Sequence, residues 1–152
     1  MISHTSEGRL LTAIVLETFK LSGLLVQAGD AMCAEFGLTS ARWKVLGALL
    51  STPEHPMTVP QIARSMGQTR QAVQRLANEM VEQGFVAWQD NPDHKRAKLL
   101  MITVQGREVF EGLSERQVPW ANFLGAQVSD SDLQTTWSVL CRLTTILEKD
   151  DG

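Results

Sequence analysis

Apolar residues recur along most of this chain at the three- and four-residue steps of a helix, and one central stretch abandons that spacing. Leu10, Ile14, Leu21, Leu25, Ala28 and Met32 fall on a single helical stripe, interrupted where Glu17 takes a slot suited to another apolar residue. A second helix is predicted from Thr39 to Leu50, with Trp43, Leu46 and Leu50 inward. Thr58 stands three residues before Gln61, the spacing at which a hydroxyl and a side-chain amide each satisfy the other's free backbone N–H. A third helix therefore begins here, with Val59, Ile62, Ala63 and Met66 on its apolar side. Gly67 ends it, because glycine enters the left-handed conformation at little steric cost. Thr69 caps a fourth helix carrying Val73, Leu76, Ala77, Met80 and Val81 inward, and Gly84 closes it.

The spacing then changes. Phe85-Val86-Ala87-Trp88 is a short β-prone run, Asp90-Asn91-Pro92-Asp93-His94 is rich in turn formers, and Ala97 to Thr103 returns as a second strand. Leu99-Leu100-Met101-Ile102 does not alternate between apolar and polar, so the pairing register of this hairpin is not legible. Beyond it, Val109, Phe110, Leu113, Trp120, Phe123 and Leu124 predict a long helix in which Pro119 forces a kink or a break. Ser129 and Asp132 make a helix start, followed by Leu133, Trp137, Leu140, Thr144 and Leu147. That last stripe is as narrow as a helix-against-helix seam.

Helix, glycine turn, helix and hairpin in this order read as a winged helix-turn-helix. The predicted fold class is mainly α with a small β-hairpin wing, carrying long helices at both ends. The outer face of the fourth helix gives the order its meaning. Gln68, Thr69, Arg70, Gln71, Gln74, Arg75 and Asn78 crowd toward its N-terminus, where recognition helices present side chains to the major groove. There arginine pairs with guanine, and glutamine or asparagine with adenine. An ordinary solvated helix face mixes in more Glu and Lys, whereas the first acid on this one is Glu79. At the hairpin tip Lys95, Arg96 and Lys98 suit phosphates or an adjacent minor groove. In isolation they would read as a solvated basic turn, and the preceding helix favours a wing.

Charge sharpens this picture. The chain of 152 residues has a net charge of −3, which looks wrong for a DNA binder. From Gln61 to Arg107, however, seven Lys and Arg stand against four acids, a local +3 that leaves −6 on the remainder. A positive reading head on an acidic body is expected where one face alone meets phosphate. The length suits a single domain with residues 39–104 as the DNA-binding region, while the helices of residues 7–36 and 105–149 either cover their own chain's core or bury their apolar stripes against a partner, and periodicity alone does not choose.

Other chemistries find little support. His4, His55 and His94 are scattered without metal-ligand spacing, and no nucleophile motif is present, so neither an enzyme, a metal site nor a cofactor is expected. Cys33 and Cys141 lie far apart and form no disulfide framework, and Leu10 to Leu16 lacks the basic leader and cleavage site of a secretory signal. A cytoplasmic protein is expected, with no stretch approaching membrane-spanning length. Both cysteines sit in apolar sequence, which predicts slow thiols and control by a ligand rather than by oxidants.

The chain resembles MarR-type transcription regulators over nearly its whole length. The likeness covers Gly37-Leu38-Thr39, Trp43-Lys44-Val45-Leu46, Gln74-Arg75-Leu76, Gln83-Gly84-Phe85-Val86, the wing from Asn91 to Leu99, and Ile102-Thr103 with Gly106. Many relatives carry an acid at the position of Asn78, able to pair with the wing arginine, here Arg96. The resemblance implies a homodimer in which both chain ends interlock with a second copy and two reading heads meet an inverted repeat in double-stranded DNA. It also implies a small aromatic effector in a crevice between head and dimer helices, with Met32, Phe36, Trp43 and Trp120 as its neighbours, although aromatics at helical spacing more often pack as core. The function expected is a ligand-responsive repressor. The alternatives are a winged-helix module that binds protein instead of DNA, and a regulator that senses oxidants through cysteine.

Overall fold

A computed structural model of the chain describes residues 1–52 and 56–150. The element order is α1 (Ser6–Cys33), a single 3-10 turn (Ala34–Phe36), α2 (Ser40–Ser51), β1 (Met57–Thr58), α3 (Val59–Met66), α4 (Arg70–Gln83), β2 (Val86–Gln89), β3 (Leu99–Ile102), α5 (Val104–Gly125) and α6 (Asp130–Asp150). Two compact units divide the chain, Met1–Leu113 and Ser114–Gly152.

Capping chemistry sets the helix ends in the first unit. The Thr58 hydroxyl accepts the Gln61 N–H at 3.4 Å while the Gln61 side-chain oxygen accepts the Thr58 N–H at 2.9 Å, so the reciprocal cap read from the sequence is formed. Thr39 and Thr69 accept from the N–H groups of Arg42 and Ala72 in the same way, satisfying donors that a helix start leaves without an intrahelical partner. Gly67 and Gly84 end α3 and α4 at φ 65° and 83°, the left-handed region where a side chain would be strained.

Leu46, Ile62, Met80 and Leu100 are fully buried and come from α2, α3, α4 and β3, so a common core joins the helix pair to the wing. The inward face of α2 differs from the sequence expectation. Val45, Leu46, Ala48 and Leu49 are buried, whereas Trp43 and Leu50 are only half-buried. A step of three from Trp43 found Leu46, but the core meets the adjacent face, which takes in Leu49 rather than Leu50.

The wing register is now defined. β3 is the central strand of a three-stranded antiparallel sheet in the order β1-β3-β2, pairing Leu100 with Trp88 on one side and with Met57 on the other. Leu100 is buried and Met101 exposed, so β3 does alternate between core and solvent. Four consecutive apolar residues hid that alternation. At the root of the wing the Thr103 hydroxyl donates to the Gly84 carbonyl at 2.6 Å and accepts the Gly106 N–H at 3.1 Å, tying the start of α5 to the end of α4. Gly106 sits so close that an added Cβ would run into the Phe85 carbonyl.

α1 contrasts with this packing. Of its 28 residues only Gly29 and Cys33 are buried. Its C-terminal end is attached to the head by the Asp30 carboxylate, which accepts the Ser40 N–H at 2.7 Å, and by the Ser40 hydroxyl, which donates to the Val26 carbonyl. Hydrogen bonding from Ser40, chiefly its backbone N–H, holds the Asp30 carboxyl below the usual aspartate range. The expectation that nothing approaches membrane-spanning length is corrected here. Ser6–Phe36 is long enough, and an 18-residue window within it reaches a mean hydropathy of 1.5, because small and apolar residues separate its few charges.

Of the kink or break expected at Pro119 in α5, the break does not occur, and the helix runs from Val104 to Gly125. Pro119 and Glu115 are both exposed. Water can therefore hydrate the Glu115 carbonyl that has lost its intrahelical donor, and the pyrrolidine ring has room. α6 begins as expected, with the Ser129 hydroxyl accepting the Asp132 N–H at 3.1 Å. None of its residues is buried, and Leu133, Trp137, Leu140 and Leu147 are exposed.

Candidate nucleic-acid interface

α4 offers one face to the core and one to solvent. Val73, Ala77 and Met80 anchor it, and this phase leaves Arg70, Gln71, Gln74, Arg75 and Asn78 exposed. β2 and β3 then carry the wing alongside. A groove of about 910 Å³ results, lined by Arg70, Gln71, Gln74, Arg75 and Asn78 from α4 and by Arg96 and Lys98 from the wing. Thr58, Val59 and Pro60 at the start of α3, Glu79 and Glu82 of α4, Trp88 of β2 and Ala97 of the wing complete its wall. Polar residues separated by more than twenty positions thus converge on a common concave surface. Its four cations, Arg70, Arg75, Arg96 and Lys98, outnumber its two acids, Glu79 and Glu82, and leave it with the positive charge that phosphate contact requires.

Three of the expected contact residues stand outside that groove. Gln68 and Lys95 are exposed beyond its lining, and the Thr69 hydroxyl is used as the cap of α4, accepting from Ala72 at 3.1 Å. The position where relatives carry an acid also behaves differently from a brace. Asn78 accepts a hydrogen bond from the Gln74 amide at 3.1 Å, and no ion pair or side-chain hydrogen bond among the described residues holds the Arg96 guanidinium.

What orders the wing tip is His94. Its Nδ1 accepts the backbone N–H groups of Arg96 at 3.3 Å and Ala97 at 3.1 Å. Asn91 contributes a second local cap through its side-chain oxygen, which accepts the Asp93 N–H at 3.0 Å. With Nδ1 acting as acceptor, the neutral ring carries its proton on Nε2, leaving that nitrogen as a donor. His55 lies outside the described residues, and among the described residues no cluster of His, Cys, Asp or Glu could hold a metal ion.

Sequence reasoning missed the acidic element of the site. Glu79 accepts from Arg42 of α2 at 2.7 Å on one carboxylate oxygen and from Arg75 at 3.3 Å on the other. Arg42 also donates to the Gln83 side chain at 3.0 Å, and Gln83 in turn donates to the Gly37 carbonyl. The hydrogen bond from Arg42, reinforced by that from Arg75, lowers the Glu79 carboxyl below the usual glutamate range. The Arg75–Glu79 half was open to reading as an (i, i+4) pair, but nothing local announces Arg42.

The four residues expected beside an effector are not part of this groove. Phe36 and Trp43 are half-buried against the head's core, Met32 is half-buried near the end of α1, and Trp120 belongs to the second unit. The cysteines differ from each other. Cys33 is fully buried, and burial, with a smaller contribution from Asp30, pushes its thiol up to about 11. Cys141 is exposed, correcting the expectation of two apolar sites, as α6 buries none of its described residues.

The sequence profile of the MarR family matches residues 36–97, which take in the helix pair and the outgoing half of the wing. An uncharacterised protein of Mycobacterium tuberculosis is 38% identical over 138 residues, covering 91% of this chain and 94% of its own length. This chain belongs to the MarR family. The transcriptional activatory protein BadR of Rhodopseudomonas palustris is 28% identical over 148 residues, covering 94% of this chain and 83% of its own. Solved structures share the fold. The Staphylococcus aureus MepR–DNA complex aligns with a TM-score of 0.76 at 18% identity, over 86% of this chain and 93% of that one. CouR from Rhodococcus jostii, bound to p-coumaroyl-CoA, aligns at 0.77 and 19% identity, over 86% and 91%. As a MarR-family protein, the chain is a DNA-binding transcription regulator and not an enzyme.

Proposed function

We propose that this MarR-family regulator works as a cytoplasmic homodimer that reads an inverted repeat and represses transcription until a small aromatic effector binds. The convergence of the α4 polar face and the wing cations on one groove carries the reading. In this reading residues 39–104 form the DNA-binding region. Gln71 and Gln74 address base edges, and Arg70, Arg75, Arg96 and Lys98 meet phosphates or guanine, with Gln68, Thr69 and Lys95 flanking them.

Residues 7–36 and 105–149 supply the dimer contacts. Ten large apolar residues of α1 are exposed in the single chain, a load better covered by a second copy than left in water. A second copy explains the apolar length of α1 without a membrane, because interlocked helices bury the same side chains. The likeness to CouR, solved with p-coumaroyl-CoA, supports a ligand-responsive regulator, and Met32, Phe36 and Trp43 of the first unit are the candidate neighbours of its effector.

Selection of bound duplexes from a random pool, with sedimentation of the free protein in detergent-free buffer, tests this. The expected results are an inverted repeat whose half-site centres lie about 10 bp apart, or a multiple of that, and a soluble dimer. A monomer, a protein that needs detergent, or the absence of any enriched repeat would overturn it.

A further inference from the structure

Among the groove's cations in the described residues, Arg75 is the one whose side chain is anchored by a carboxylate. Its side chain is 83% exposed, yet its Nε donates to Glu79 Oε1 at 3.3 Å. The anchor is itself fixed. Glu79 Oε2 takes the shorter bond, 2.7 Å, from Arg42, whose side chain is only 23% exposed and is held in turn by Gln83 at 3.0 Å. Each carboxylate oxygen therefore has a different arginine, one belonging to the scaffold and one to the groove.

The geometry at Arg75 has a chemical consequence. A guanidinium bound through Nε has both Nη groups left over, side by side and in one plane. That end-on pair matches the O6 and N7 acceptors of guanine in the major groove. A free arginine meets a phosphate oxygen just as readily, in any of several rotamers, and carries no sequence information there. Fixing Nε removes most of those rotamers. Arg42 holds the carboxylate in place whether or not Arg75 remains attached.

We propose that Glu79 is a specificity-determining residue, which positions Arg75 for end-on recognition of a guanine and discourages its use as a general phosphate anchor. This rests on α4 being the base-reading helix. Glu79 acts through Arg75 and touches no base. Its removal should therefore alter which sequences are bound more than how tightly DNA is bound.

The test compares wild type, Glu79→Gln, Arg75→Lys and the double variant on two probes, the duplex enriched from a random pool by wild type and the unselected pool itself. Glutamine keeps the size and a hydrogen bond to Arg42 while removing the charge, and circular dichroism checks that each variant is folded. Glu79→Gln is expected to lower the ratio of selected to unselected affinity on the order of tenfold, and a guanine should drop out of its own selected consensus. In the Arg75→Lys background, where the flat fork is absent, the same change should have little further effect. An unaltered ratio with the guanine retained, or an equal loss in the Arg75→Lys background, would overturn the proposal. If wild type itself enriches no sequence, the base-reading assignment of α4 falls and this inference with it; a wild type that enriches a duplex which Glu79→Gln reads identically defeats the inference alone.

Discussion

The head and α1 both carry apolar stripes at helical spacing and reach opposite outcomes. In the head, Leu46, Ile62, Met80 and Leu100 are fully buried because elements from both sides close over them. In α1, Leu16 and Phe19 remain 65% and 71% exposed. Hydrophobic spacing thus says that a face will be covered without saying by what. The head buries its own stripe, whereas α1 carries a stripe whose stabilisation depends on another surface.

The sharpest way to break this comparison is to put a charge on the open face. If a second copy covers α1, Phe19→Asp should weaken the dimer by ~3–5 kcal/mol, the cost of an unpaired charge in a buried interface. Sedimentation equilibrium would show monomers where wild type is dimeric; an unshifted equilibrium would place the cover elsewhere. In the head, Leu100→Ala removes a fully buried side chain of the central strand and should cost ~2–5 kcal/mol. Denaturant midpoints should fall by the same amount at high and low protein concentration when measured on a dimer-deficient background, as befits a core the chain closes by itself.

Within the head, helix and wing can be separated by salt. Gln71→Ala should relax preference at particular base pairs by ~1–3 kcal/mol with little change in salt dependence. Arg96→Ala should weaken binding to most sequences and flatten the slope against log salt by ~1, because one fewer cation displaces counterions. Equal salt slopes for the two variants would remove the distinction. At the wing tip, His94→Ala deletes the acceptor of two backbone N–H groups and should weaken duplex binding by ~1 kcal/mol. His94→Asn places an oxygen near the Nδ1 position and should restore most of it, while His94→Gln should not; rescue by glutamine would mean that Nε2 matters instead.

The smallest effect concerns the thiols. With folded Cys33 near 11, Ellman-type labelling at neutral pH should modify Cys141 and spare Cys33. A thiol whose folded value is raised holds its proton more tightly in the native state than in the unfolded chain. Its contribution is complete below the ordinary value of 9.0 and is lost as pH climbs from there through about 11. Cys33→Ala should flatten the decline of stability across that window. Rapid labelling of native Cys33 at neutral pH would contradict its burial and favour redox control.

Local chemistry was readable from the residues themselves. Thr58 with Gln61, Gly67, Thr69 and Gly84 mark helix ends through hydrogen bonds and dihedral preferences that depend on near neighbours, and the polar face of α4 follows once Val73, Ala77 and Met80 point inward. The order of elements, and with it the winged helix-turn-helix, was legible for the same reason. Tertiary structure decided everything that depends on partners distant in the chain. It chose Leu49 over Leu50 on α2, because a helix face is set by what packs on it, and it paired Leu100 with both Trp88 and Met57 where a uniformly apolar strand offered no register. It let α5 pass through Pro119, where solvent supplies what proline removes. Above all it brought Arg42 to Glu79 across 37 positions, since a carboxylate recruits whichever cation the fold delivers and no spacing in the sequence records that meeting.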